Sequence, residues 1–133
     1  MLVQAIILTN NKIMQIRESL GIDVSKKTID ANIFALKLSE KFMNNSKGYK
    51  KLFLWLKKSK VSLVELVICF ENTGIYSIPL AIFLESKGQH YSIVAGIEIK
   101  KSIGMVRVKS DKVDGIRIAE YAYLRREGLK PFK

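Results

Sequence analysis

The residues best suited to chemistry are Asp111 and Asp114, in the run Lys109-Ser110-Asp111-Lys112-Val113-Asp114. Three residues apart at the start of an expected last helix, their side chains share one face, roughly 5 to 6 Å apart at Cβ. Two carboxylates about 4 Å apart repel by about 4 kcal/mol at an effective dielectric of 20, so a cation or partner is expected beside them. The pair could instead serve only the helix, with Asp111 as N-cap and Asp114 at N3, where free N–H groups and the helix dipole favour anions. What shifts the balance is Asp23 and Glu71, each placed with an apolar run that reads as a strand. Four such oxygen donors suit Mg²⁺ or Mn²⁺, and two such ions can clamp the attacking and leaving oxygens of a phosphodiester.

Composition narrows the partners. With 133 residues, 48% of them hydrophobic, the chain reads as one globular domain. A formal charge of +11 suits a partner that is nucleic acid or another anionic surface. From Lys100 to Lys133 ten Lys/Arg face four Asp/Glu. Lys100, Lys101, Arg107, Lys109, Lys112, Arg117, Arg125 and Arg126 are therefore the candidate phosphate contacts. One cysteine, Cys69, and one histidine, His90, leave no zinc constellation and no Ser-His or Cys-His pair. Cys69 lies in the apolar run Val67-Ile68-Cys69-Phe70 and reads as an inert buried thiol in a reducing cytoplasm. No run reaches the roughly 18 apolar residues of a membrane span, and no export signal is recognisable.

The elements that must position the acids follow from periodicity. Residues 1–18 form an N-terminal extension with no assigned element, and 19–133 the domain. Ser19 to Val24 and Thr28 to Leu36 read as a hairpin, the second run alternating Ile29, Ala31, Ile33 and Ala35 with Asp30, Asn32 and Phe34. Lys41 to Asn45 suits a short edge strand followed by a turn at Asn44-Asn45-Ser46. From Gly48, Tyr49, Leu52, Phe53, Trp55 and Leu56 recur at helical spacing among lysines. Val64 to Phe70 suits a strand covered on both faces, with Glu71 at its end. A helix starting near Ser77, with Pro79 in its first turn, runs to Gly88, and His90 to Ala95 is a further strand. Three strands followed by helix, strand, helix, strand, helix predict an α/β mixed sheet flanked by helices, with the first strand antiparallel to the second, parallel to the fourth, and Asp23 close to Glu71.

Three stretches in order resemble one family: Gly21-Ile22-Asp23-Val24-Ser25-Lys26, Phe70-Glu71-Asn72-Thr73-Gly74-Ile75-Tyr76, and Lys109 to Asp114. They look like the successive motifs of the DEDD insertion-sequence transposases, which are similar to the Piv DNA invertases. The resemblance covers roughly residues 19–127. It implies a ribonuclease H-like (RuvC-like) catalytic domain with Asp23, Glu71, Asp111 and Asp114 as catalytic and metal-binding acids. It also implies Mg²⁺ or Mn²⁺, strand cleavage and joining of DNA in transposition, in some members a structured guide RNA, and a homo-oligomer of the full-length protein. Gly115 stands where the family is expected to have alanine. The resemblance further implies a C-terminal domain with a serine acting alongside the acids, which is not expected within residues 19–133.

Two other classes fit part of the pattern. Sugar-kinase and actin-like ATPases also begin with an acid on the first strand, but their phosphate-binding turn has glycine soon after it, whereas Asp23 is followed by Val24-Ser25-Lys26. A non-catalytic basic nucleic-acid-binding domain, or a truncated transposase remnant, would need the lysines and arginines but no carboxylate cluster. Asp30, Glu40, Glu65, Glu85, Glu98, Glu120 and Glu127 read as solvated or locally paired.

Overall fold

The computed structural model describes residues 15–72, 74–102 and 114–127. Five strands form one sheet: β1 (Glu18–Val24), β2 (Thr28–Ile33), β3 (Leu38–Met43), β4 (Leu66–Glu71) and β5 (Tyr91–Val94). The order across it is β3-β2-β1-β4-β5. The strand β1 pairs antiparallel with β2 and parallel with β4, as the hairpin and the later strand-helix alternation predict. A tight turn sets the first register, because Ser25 N–H donates to Thr28 O at 2.9 Å and every pair outward is counted from it, including Asp23 opposite Asp30.

Alternation along the strands creates two unlike faces. Leu20, Ile22, Ile29, Ile33, Ile68 and Phe70 face α1 (Ser46–Lys58) and α2 (Ile78–Ser86) in the larger core. Val67 and Cys69 face the other way, toward α3 (Gly96–Ser102) and α4 (Gly115–Leu124), where Ile99, Ile118 and Ala122 complete a smaller core. Asp23 and Glu71 alternate in step with this second face. Ile16 is buried in the same small core, and Arg17 N–H donates to Glu65 O, so the packed domain begins before Ser19.

Several boundaries differ from the periodicity. The run from Thr28 to Leu36 leaves the sheet at Ile33, because Phe34 to Lys37 form a turn that Lys37 closes at φ 56°. The third strand starts earlier, at Leu38, pairing with Ile33 across that turn. Asn45 belongs to a helix rather than a turn: its Oδ1 accepts from Gly48 N–H at 2.8 Å as the N-cap of α1. Leu63–Glu65 form a 3-10 turn, so β4 begins at Leu66 rather than Val64. The helix α3 was not expected, being one of seven residues that lack a long apolar period. The last helix begins at Gly115, and Asp114 is its N-cap, accepting from Arg117 N–H at 2.9 Å. That corrects the cap assignment that put Asp111 at the N-cap and Asp114 at N3. Asp111 itself lies outside the described residues, as do Arg107, Lys109 and Lys112.

Candidate active site

The helix α4 sits directly on β1. A Cβ at Gly21 would overlap Ala119 N and Gly115 O, so only glycine admits the helix backbone at this depth. Two residues back along the strand, the buried Ser19 Oγ donates to Ala119 O at 2.7 Å. These two contacts fix the helix antiparallel to β1, with its N-terminus over the end that carries Asp23. Asp114 and Asp23 line the same open groove, of about 530 Å³, together with Asp30, Asn32, Ser39 and Lys41.

Glu71 reaches the same strand end through the parallel register. Ile22 is paired with Phe70, so Asp23 and Glu71 are the next residues on adjacent strands. Glu71 Oε2 occupies the space that a Cβ at Gly96 would take, so the first residue of α3 makes room for the carboxylate. Glu71 Oε1 is buried and has no hydrogen-bond partner among the described residues. An orphaned carboxylate oxygen in that position is costly unless a cation or a proton meets it.

Asp23, Glu71 and Asp114 are thus carried to one end of one sheet face. Among the described residues, no three acid, histidine or cysteine side chains stand close enough to hold a metal ion by themselves. The position of the fourth acid, Asp111, lies outside those residues. The candidate basic contacts divide. Lys100 and Lys101 are in the last turn of α3, and Arg117 is exposed in the first turn of α4, which Asp114 caps. Arg125 and Arg126 are at the far end of α4, about 15 Å along a ten-residue helix. There Arg125 stacks over the Tyr121 ring at 4.4 Å, and Arg126 over Tyr123 at 4.2 Å while donating to Tyr123 O.

Sequence reasoning left Asp30 and Lys41 out of the site. Asp30 is paired with Asp23 across the hairpin, and Lys41 with Asp30, the two charges meeting at 3.6 Å. Local pairing of Asp30 was expected; its place in the groove was not. Counting outward from the turn between Ser25 and Thr28 would have found it. A wider apolar groove of about 810 Å³ lies along α2 and β5, lined by Ile75, Ile78, Ile82 and Tyr91. It lacks a carboxylate cluster, so volume does not locate the chemistry here. Cys69 is fully buried and its thiol is pushed up to about 12 by desolvation, in keeping with an inert role.

A family model described as DEDD_Tnp_IS110, transposase, matches residues 20–133. The chain belongs to that transposase family. The fold agrees: Thermus thermophilus RuvC in complex with Holliday junction substrate superposes with a TM-score of 0.57 at 11% identity, covering 86% of this chain and 99% of that one. A second Thermus thermophilus RuvC structure gives a TM-score of 0.54 at 11% identity, with the same coverage. No curated protein matches the sequence. The transposase domain therefore has a RuvC-like, ribonuclease H type fold, and DNA is the partner that its family and charge both indicate. Among the described residues no helix is long and apolar enough to cross a membrane.

Proposed function

We propose that this transposase domain cuts and joins DNA strands with Asp23, Glu71, Asp111 and Asp114 as the ligands of Mg²⁺ or Mn²⁺. The observation that carries the assignment is the buried, unpartnered Oε1 of Glu71, on the strand next to Asp23 and on the sheet face that α4 covers. Its donor chemistry fits, since hard divalent cations take carboxylate oxygens. When bound, such an ion supplies Lewis-acid polarisation of a phosphoryl oxygen and offsets the charge that develops there.

The chain's own residues do the rest. Gly96 leaves room for the Glu71 carboxylate, while Gly21 and Ser19 seat α4 so that Asp114 overhangs the groove. Lys100, Lys101 and Arg117 would meet phosphates from the last turn of α3 and the first turn of α4, with Arg107, Lys109 and Lys112 assigned by sequence. Arg125 and Arg126 would meet nucleic acid only at the far end of α4. A structured guide RNA and a homo-oligomer are carried by the family resemblance alone, and a cytoplasmic location by the single unpaired cysteine and the transposase family.

Calorimetric titration with Mn²⁺, run beside a plasmid-nicking assay, tests the assignment. Asp23→Asn and Glu71→Gln should each weaken Mn²⁺ binding by at least about 10-fold to 100-fold, the scale set by groups that merely support metal ligands. Nicking by the wild type, if the domain cuts alone, should vanish with them. Unchanged Mn²⁺ affinity in both variants would refute the assignment.

A further inference from the structure

The strand register lines up a charged row across the sheet: Lys41 on β3, Asp30 on β2, Asp23 on β1, then Glu71 on β4. Residues directly opposite on antiparallel strands point to the same face, so Lys41, Asp30 and Asp23 share the face on which α4 lies. Among the described residues, Lys41 is the one cation lining the groove that also holds Asp23, Asp30 and Asp114. Its Nζ is 3.6 Å from Asp30 Oδ1, and its side chain is 65% exposed while that of Asp30 is 42% exposed.

We propose that Lys41 is a substrate-positioning residue, held by Asp30 so that its ammonium meets the DNA phosphate next to the one presented to the acids, a role that presupposes the acidic site proposed above. A groove walled by carboxylates repels a nucleic-acid backbone, and bound metal offsets that charge only at the acids themselves. Lys41 supplies a positive charge two strands away from Asp23, roughly 10 Å across the sheet at about 4.8 Å per strand. Exposed ion pairs contribute little to stability, so the fold gains almost nothing from the pair and loses little when a phosphate draws the ammonium away. The exposure of Lys41 leaves its remaining N–H donors open to solvent and to such a phosphate.

Salt titration of binding to a short mixed-sequence duplex DNA, with Mn²⁺ affinity and melting temperature measured on the same proteins, is the test. Each neutralised phosphate contributes about −0.9 to the slope of log K against log salt. Lys41→Met should lower the magnitude of that slope by about 1, and Lys41→Arg should restore it. Lys51→Met, at an exposed position of α1 across the sheet, should leave it unchanged, and Lys41→Gln repeats the test should methionine disturb the edge strand. An unchanged slope in Lys41→Met, an equal loss in Lys51→Met, or no rescue by arginine would each overturn the role of Lys41, as would a wild type that binds no duplex. Wild type that binds no Mn²⁺, while Lys41→Met still loses slope, would instead remove the metal assignment and leave the phosphate contact standing.

Discussion

The side-chain amide of Asn32 fills the space that a Cβ on residue 115 would need. Asn32 is held there because Ser39 Oγ donates to its Oδ1 at 2.6 Å. The glycine at 115, where the family is expected to carry alanine, is thus matched by a neighbour on β2, and the start of α4 stays close to the sheet. Gly115→Ala should destabilise the domain by about 1 to 3 kcal/mol through overpacking. In an Asn32→Ala background the same change should cost much less, since the amide is gone and only the Asp30 carbonyl oxygen, 3.2 Å from the new Cβ, remains close. Denaturant unfolding of the four proteins gives the coupling directly, and additive effects would show that the two residues do not compete for space.

Ser19 is a second tie between β1 and α4. Its hydroxyl is fully buried and donates to Ala119 O, so Ser19→Ala should cost about 1 kcal/mol. Hydrogen exchange should report the loss first in the amides of α4, and protection unchanged there would mean that packing at Gly21 alone seats the helix.

The buried thiol predicts an alkaline weakness. Desolvation lifts Cys69 to about 12, whereas an unfolded thiol ionises near 8.5. The neutral folded form therefore contributes stability that is fully present below about pH 8.5 and is lost as pH rises toward 12, because the unfolded chain releases the proton first. One such group lowers stability by at most about 1.4 kcal/mol per pH unit over that window. Burial also raises Tyr49, Tyr91 and Tyr121, with the same sign. Cys69→Ala should flatten the decline between about pH 9 and 11, and an identical slope would place the thiol in contact with solvent.

The parts of the fold written as strong periods were legible in the sequence. The alternation of Ile29, Ala31 and Ile33 and the continuous run ending at Phe70 marked the sheet faces, and those faces placed Asp23 and Glu71 together. Less legible were the features set by tertiary contact. The helix α3 is too short for a period to emerge, and the start of α4 is fixed by the close approach of Gly115 and Gly21 rather than by an apolar stripe. Two acids three residues apart suggested one helix face, yet Asp114 stands just before α4 in extended backbone and caps that helix. Asp30 was overlooked because its importance comes from hairpin register, which no property of the residue itself reveals.

The capping geometry makes Asp114→Asn an unusually clean probe. Asparagine caps a helix about as well as aspartate, so the substitution removes the charge and keeps the bond from Arg117 N–H. Asp114→Ala should cost about 1 kcal/mol with or without metal, as the loss of a cap requires. The most direct measurement is a set of thermal melts of wild type and Asp114→Asn, each with Mn²⁺ and with chelator. An ion binding only the folded form adds about 2.7 kcal/mol when present at roughly 100 times its dissociation constant. Wild type should therefore gain several degrees with Mn²⁺, and Asp114→Asn much less, while in chelator the variant should be at least as stable because one like charge has left the groove. Equal Mn²⁺ shifts in the two proteins would contradict Asp114 as a metal ligand and leave it a helix cap alone.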